Sequence, residues 1–176
     1  MSTNLDKVIA CLKELDLRPI MQDYSWRFFT QKTAFLANAL GMDITYDFTI
    51  YVSGPYSREL NCDYFPFENK TKINNLQTDY VLMPLDVSIL EKIKECCDLY
   101  ENQTLMESTS TIVYLMNENP QYNDDDIYAH MKRLKPQIKD KERIIGLTKA
   151  KELLFKDEYM TEEIAREHEE WDRIDS

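Results

Sequence analysis

The stretch FFTQKTAFLANALGMDITYDFTIYVSGPYSREL, residues 28–60, carries the architecture expected of this chain. Phe29, Thr33, Leu36 and Leu40 recur at helical spacing, and Gly41 stands where a left-handed residue stops a helix. Tyr46, Phe48, Ile50 and Val52 then alternate with Asp47, Thr49 and Tyr51, the period of a strand with one buried face. In the turn Gly54-Pro55-Tyr56-Ser57, glycine opens backbone angles closed to other residues and proline fixes the next φ. Ser57 is placed to cap a short helix through Glu59 and Leu60.

Upstream, Leu5, Val8, Ile9, Leu12 and Leu15 predict a helix to about Asp16, ended by Pro19. Ser25 is the expected cap of a helix over 26–40. Its aromatics, Trp26, Phe28, Phe29 and Phe35, spread round the circumference and make it central. Downstream, residues 61–77 read as an irregular connection interrupted by Pro66. Residues 78–83, TDYVLM, form a second strand candidate, with 46–52 as its expected antiparallel partner. Further helices are predicted over 87–100, capped by Asp86 or Ser88, and over 105–117, with Ile112, Leu115 and Met116 inward. Another runs over 127–134, behind the acidic start Asp124-Asp125-Asp126. The helix over 140–155 is expected to face inward on Ile144, Leu147, the stem of Lys151, and Leu154. The expected fold is mainly α with a small antiparallel β element: one domain over 1–156, then an acidic C-terminal helix or tail over 157–176.

Composition sets the class. The 176 residues are 43% hydrophobic and 30% charged, with three glycines and six prolines, an ordinary balance for a globular chain. No apolar run approaches the roughly 18 residues of a membrane span. The N-terminus lacks the basic cap and apolar core of a signal peptide, so a cytoplasmic protein is expected. The net charge of −11 is uneven: −2 over residues 1–80, −8 over 81–130, +6 over 131–151 and −7 over 152–176. Cys11, Cys62, Cys96 and Cys97 show no CxxC spacing, and both histidines, His130 and His168, sit far from any cysteine. Neither disulfides nor a metal or other cofactor is expected.

The chemical motifs are sparse. Gly54-Pro55-Tyr56-Ser57 lacks the GxSxG form of a nucleophile turn and reads as structural. The three aspartates at 124–126 lack the spaced ligands and glycine of a calcium loop. One basic cluster stands out: Lys132, Arg133, Lys135, Lys139, Lys141, Arg143, Lys149 and Lys151. It could neutralise phosphates, with Lys132, Arg133, Lys135 and Lys139 as candidate nucleic-acid contacts. No aromatics interleave with these cations, which argues against single-strand stacking.

Gln31-Lys32 in its helix, Phe48-x-Ile50-Tyr51 and Gly54-Pro55-Tyr56-Ser57-x-Glu59-Leu60 resemble the YwgA-type family of small prokaryotic proteins. They are similar, more distantly, to the Panacea domains of SocA-like antitoxins. The resemblance implies a winged-helix-like helical domain and no enzymatic activity. It implies a non-enzymatic interaction module of antitoxin or regulatory type holding a partner protein, a toxin in the antitoxin case. Tyr51 and Tyr56 are the candidate partner contacts. The alternative is a winged-helix regulator that binds duplex DNA, which an acidic chain suits less well because phosphates repel net negative charge. No membrane association is expected.

Overall fold

The computed structural model describes residues 2–19, 23–155 and 162–175. These residues are mainly helical, with a two-stranded antiparallel sheet. Helix α1 (Asn4–Glu14) starts at a capping box: the Thr3 hydroxyl accepts the Asp6 amide, and the Asp6 carboxylate accepts the Thr3 amide at 2.8 Å. It ends well ahead of Pro19, with Leu15 as its C-cap and Asp16 next in the left-handed region at φ 58°. Helix α2 (Tyr24–Ala39) is capped by Asp23 rather than Ser25, the Asp23 carboxylate accepting the Ser25 amide at 2.8 Å. Gly41, with φ +112°, supplies the expected stop.

Beyond it the expected alternation holds and starts earlier: Met42, Ile44 and Tyr46 are buried, while Asp43, Thr45 and Asp47 are exposed. The pairing is different from that expected. Strand β1 (Thr49–Tyr51) pairs with β2 (Gly54–Tyr56), Thr49 opposite Tyr56 and Tyr51 opposite Gly54. Residues 78–83 form no strand, and Val52, expected inward, is 73% exposed at the hairpin tip. The reason is a tight reversal at Val52 and Ser53, closed by Gly54 opposite Tyr51 with a left-handed φ of +96°, so the nearest partner for β1 is its own continuation. Residues 78–83 are tied down by side chains instead. The Thr78 hydroxyl donates to the Asp6 carbonyl at 2.6 Å, and the Tyr80 hydroxyl to the Asp86 carboxylate at 2.7 Å.

Ser57 caps α3 (Arg58–Asp63), its hydroxyl accepting the Leu60 amide at 3.2 Å. The expected irregular connection over 61–77 is largely helical, because Pro66 opens α4 (Phe67–Asn74) rather than breaking it. A proline is compatible with a helix start, where no carbonyl partner awaits its missing N–H. Next come α5 (Pro84–Glu95), a 3-10 turn (Cys97–Tyr100), α6 (Gln103–Glu118), α7 (Asp124–Leu134), α8 (Asp140–Leu154) and α9 (Glu162–Asp175). The expected helix over 87–100 is thus α5 plus the tighter turn. The expected C-terminal segment is helical over α9, which touches α8.

Helix α6 is the hub, packed against α2, α7, α8 and the hairpin. Its run Ser108-Thr109-Ser110-Thr111 is entirely buried. Side chains this small let neighbouring backbones come close on several sides, and two of the three glycines abut them. A Cβ on Gly54 would lie 2.9 Å from Thr111 Oγ1, and one on Gly146 would lie 2.5 Å from Ser108 Oγ. This also corrects the face of α8. Arg143, Gly146, Ala150 and Leu153 point inward, one position round from the expected Ile144, Leu147, Lys151 and Leu154, which are half-buried. Among the described residues no helix is long and apolar enough to cross a membrane.

Candidate functional site

The hairpin is held from beneath by groups that are uncommon in a protein interior. Gln31 and Lys32 lie on α2, each within 4% of full burial. The Gln31 amide brackets Ser57 as a strand would: its Nε2 donates to the Ser57 carbonyl and its Oε1 accepts the Ser57 amide, both at 2.9 Å. Lys32 Nζ donates to the Pro55 carbonyl at 2.8 Å and lies 4.8 Å from the centre of the Phe28 ring. From the far side, Lys135 Nζ donates to the carbonyls of Tyr51 at 3.0 Å and Val52 at 2.5 Å. The same ammonium pairs with Glu107 of α6 at 3.0 Å. Two buried lysines therefore satisfy three carbonyls of one short hairpin, polar groups that would be costly to bury bare.

Burial pushes the Lys32 ammonium down to about 7, helped by the charge of Lys135 and opposed by Glu107. Lys32 is thus near its titration point at neutral pH while Lys135 holds the only carboxylate beside it that the described contacts show.

Outside these anchors lies a cleft of about 290 Å³ between α2 and the hairpin. Tyr24, Arg27, Phe28, Tyr51, Tyr56 and Asn61 are among its walls. The spacing 24, 27, 28, 31, 32 puts one strip of α2 along it. The Tyr51 and Tyr56 rings pack at 5.4 Å, and the Tyr24 hydroxyl lies 3.2 Å from Ser53 Oγ.

The stretch expected to be the turn, Gly54-Pro55-Tyr56-Ser57, is instead strand β2 and the cap of α3, with the reversal itself at Val52 and Ser53; Gly54, Pro55 and Ser57 are buried, and Tyr56 is half-buried. Tyr51, the other candidate partner contact, is 64% exposed. The basic cluster is not one surface. Lys135 is buried under the hairpin, which removes it as a phosphate contact. Arg143 is buried too, giving its guanidinium to Asp140 and to the Lys135 and Pro136 carbonyls. Lys149 pairs with Asp98, and Lys151 with Asp124. Lys132, Arg133 and Lys139 stay exposed. Half of the cluster neutralises this chain's own polar groups.

The anchoring roles of Lys32, Lys135 and Glu107 were not foreseen, nor was the cleft. One signal was visible: Lys32 is a single lysine inside an aromatic helix, where a surface role has no surface to serve. Elsewhere the thiols of Cys11 and Cys96 are buried, and burial pushes both up to about 12, away from nucleophilic chemistry. Among the described residues no three His, Cys, Asp or Glu side chains gather closely enough to hold a metal ion.

The turn makes a direct prediction. Gly54→Val should cost about 1–2 kcal/mol, because φ +96° is strained for a β-branched residue and the new Cβ meets Thr111 Oγ1. Denaturant unfolding of the purified variant reads this; an unchanged midpoint would contradict it. No family model, curated protein or solved structure matches the chain.

Proposed function

We propose that this chain is a non-enzymatic interaction module that binds a partner protein through the tip of the hairpin. The supporting observation is a contrast in burial. The hairpin's carbonyls are fixed from inside by Lys32 and Lys135, while Tyr51 and Val52 stand 64% and 73% exposed at its tip. A rigid platform that presents an aromatic and an apolar side chain loses little conformational freedom when it docks. The resemblance of residues 28–60 to the YwgA-type family, and more distantly to the Panacea domains of SocA-like antitoxins, is in keeping with the same reading, with a toxin as the partner in the antitoxin case.

The duplex-DNA alternative has less support. With Lys135, Arg143, Lys149 and Lys151 engaged internally, the exposed cations near residues 132–139 are few, and the flanking blocks are acidic.

The experiment is affinity capture from the source lysate with the wild-type chain and with a Tyr51→Ala, Val52→Asp variant. The expected result is a protein recovered by the wild type and lost with the variant, whose melting temperature is unchanged. Equal recovery by both chains rules out the hairpin tip. A duplex-DNA mobility shift at submicromolar protein and about 150 mM salt, abolished by neutralising Lys132, Arg133 and Lys139, gives the alternative its place.

A further inference from the structure

The cleft between α2 and the hairpin shares Tyr51 and Val52 with the tip that the partner reading uses, but its deeper wall is formed by α2, and its chemistry is one-sided. In a chain of net charge −11, its polar wall holds Arg27, Lys32 and Asn61 and no carboxylate. Phe28, Tyr51 and Tyr56 give it flat apolar surfaces. Arg27 Nε is buried without a hydrogen-bond partner. An unpaired buried guanidinium N–H is costly, and Arg27 is one of the residues that line the cleft. The Lys32 ammonium gives one donor to Pro55 and turns a second side to the Phe28 ring. The nearest acid, Glu107, is already paired with Lys135.

We propose that this cleft binds a small aromatic carboxylate, with its ring against Phe28, Tyr51 and Tyr56 and its carboxylate on Arg27 and Lys32. Three features select this class. A guanidinium presents a planar fork that matches a carboxylate with two parallel hydrogen bonds. The aromatic walls reward a flat apolar body, which inorganic phosphate lacks. The volume of about 290 Å³ lies at the small end of ligand pockets, room for one ring and its substituent. A cationic ligand of the same shape would meet two like charges.

Lys32 adds a pH signature. The charged or titratable groups around it are Glu107 from α6, Lys135 from the segment after α7, Arg27 on its own helix, and the phenols of Tyr51 and Tyr56. A bound anion favours the ammonium and raises its proton affinity above the free value of about 7. Binding is therefore strongest below about pH 7 and weakens as pH rises, since the free protein has then lost the proton that the complex needs.

The test titrates benzoate into the isotopically labelled full chain at about pH 6.5 and follows amide resonances by NMR. Saturating shifts are expected over residues 24–32 and 51–61, with a Kd on the order of 1 mM for so small a probe. Benzylamine, the same shape with the opposite charge, should bind at least tenfold more weakly. So should benzoate at about pH 9, and benzoate with the Arg27→Gln variant. Absence of saturation, equal binding of benzylamine, shifts confined to other regions, or a pH-independent Kd overturns the proposal. If Arg27→Gln does not fold, the benzylamine and pH comparisons on the wild type decide alone. A negative result here leaves the partner reading standing, because that is measured at Tyr51 and Val52 with no ligand present.

Discussion

Replacing Lys135 with methionine should lower the unfolding free energy by about 3–5 kcal/mol, an effect usually associated with the hydrophobic core. Methionine keeps most of the aliphatic stem, so packing changes little and polar terms dominate. The Lys135 ammonium serves three acceptors: the Tyr51 and Val52 carbonyls and the Glu107 carboxylate. Each loses its partner in the variant. Glu107 suffers most, since its side chain is only 17% exposed and its charge would be left uncompensated. Urea unfolding measures the loss directly. Adding Glu107→Gln to Lys135→Met removes that stranded charge and should recover part of the stability, giving an interaction energy of about 1–3 kcal/mol in the double-mutant cycle. A loss under about 1 kcal/mol for the single variant would mean that water reaches these groups and that the hairpin is not anchored as described.

The second large effect is expected at Gly146. A Gly146→Val substitution in α8 should cost about 3 kcal/mol, although exchanging glycine inside a helix usually raises helix propensity. The new Cβ would lie 2.5 Å from Ser108 Oγ, 3.1 Å from Ser108 Cβ and 3.2 Å from the Thr109 amide nitrogen. A hydroxyl can rotate away, as Thr111 can at Gly54, but a Cβ and a backbone nitrogen move only with their helix. Helices α6 and α8 must then separate, and the buried contacts of Ala150 and Leu153 loosen with them. Thermal unfolding of Gly146→Val beside a Ser108→Gly, Gly146→Val double variant tests the cause. Partial recovery in the double variant is expected; none would place the strain elsewhere.

Both effects explain why part of the molecule was hidden from a reading of residue types. Helix α8 was expected to turn its largest apolar side chains inward, on Ile144, Leu147 and Leu154. Its partner α6 presents serines and threonines, so the closest packing is made by the smallest residues, Gly146 and Ala150. Hydrophobic size ranks burial well only when the facing surface has depth to receive it. Lys135 misled in the same manner. It sits among seven other cations, and nothing within its own stretch distinguishes the lysine that is buried from those that are solvated.

What the sequence by itself determined is the set of features governed by energies within a few residues. The left-handed stop at Gly41, the positive φ of Gly54, the Ser57 cap and the alternating burial of Tyr46 and Asp47 are all present where the residue types demand them. Each depends on a backbone angle, a free amide or a pleat that the local chain already contains. The tertiary structure alone decided the partner of β1, the inward face of α8 and the destination of Lys135. Those outcomes depend on groups far along the chain: Lys135 meets a carbonyl 84 positions away, and Gly146 meets Ser108 across an interface of two helices. A cation becomes an anchor only when folding surrounds it with acceptors and removes water, and that environment exists in three dimensions before it can be assigned to any residue type.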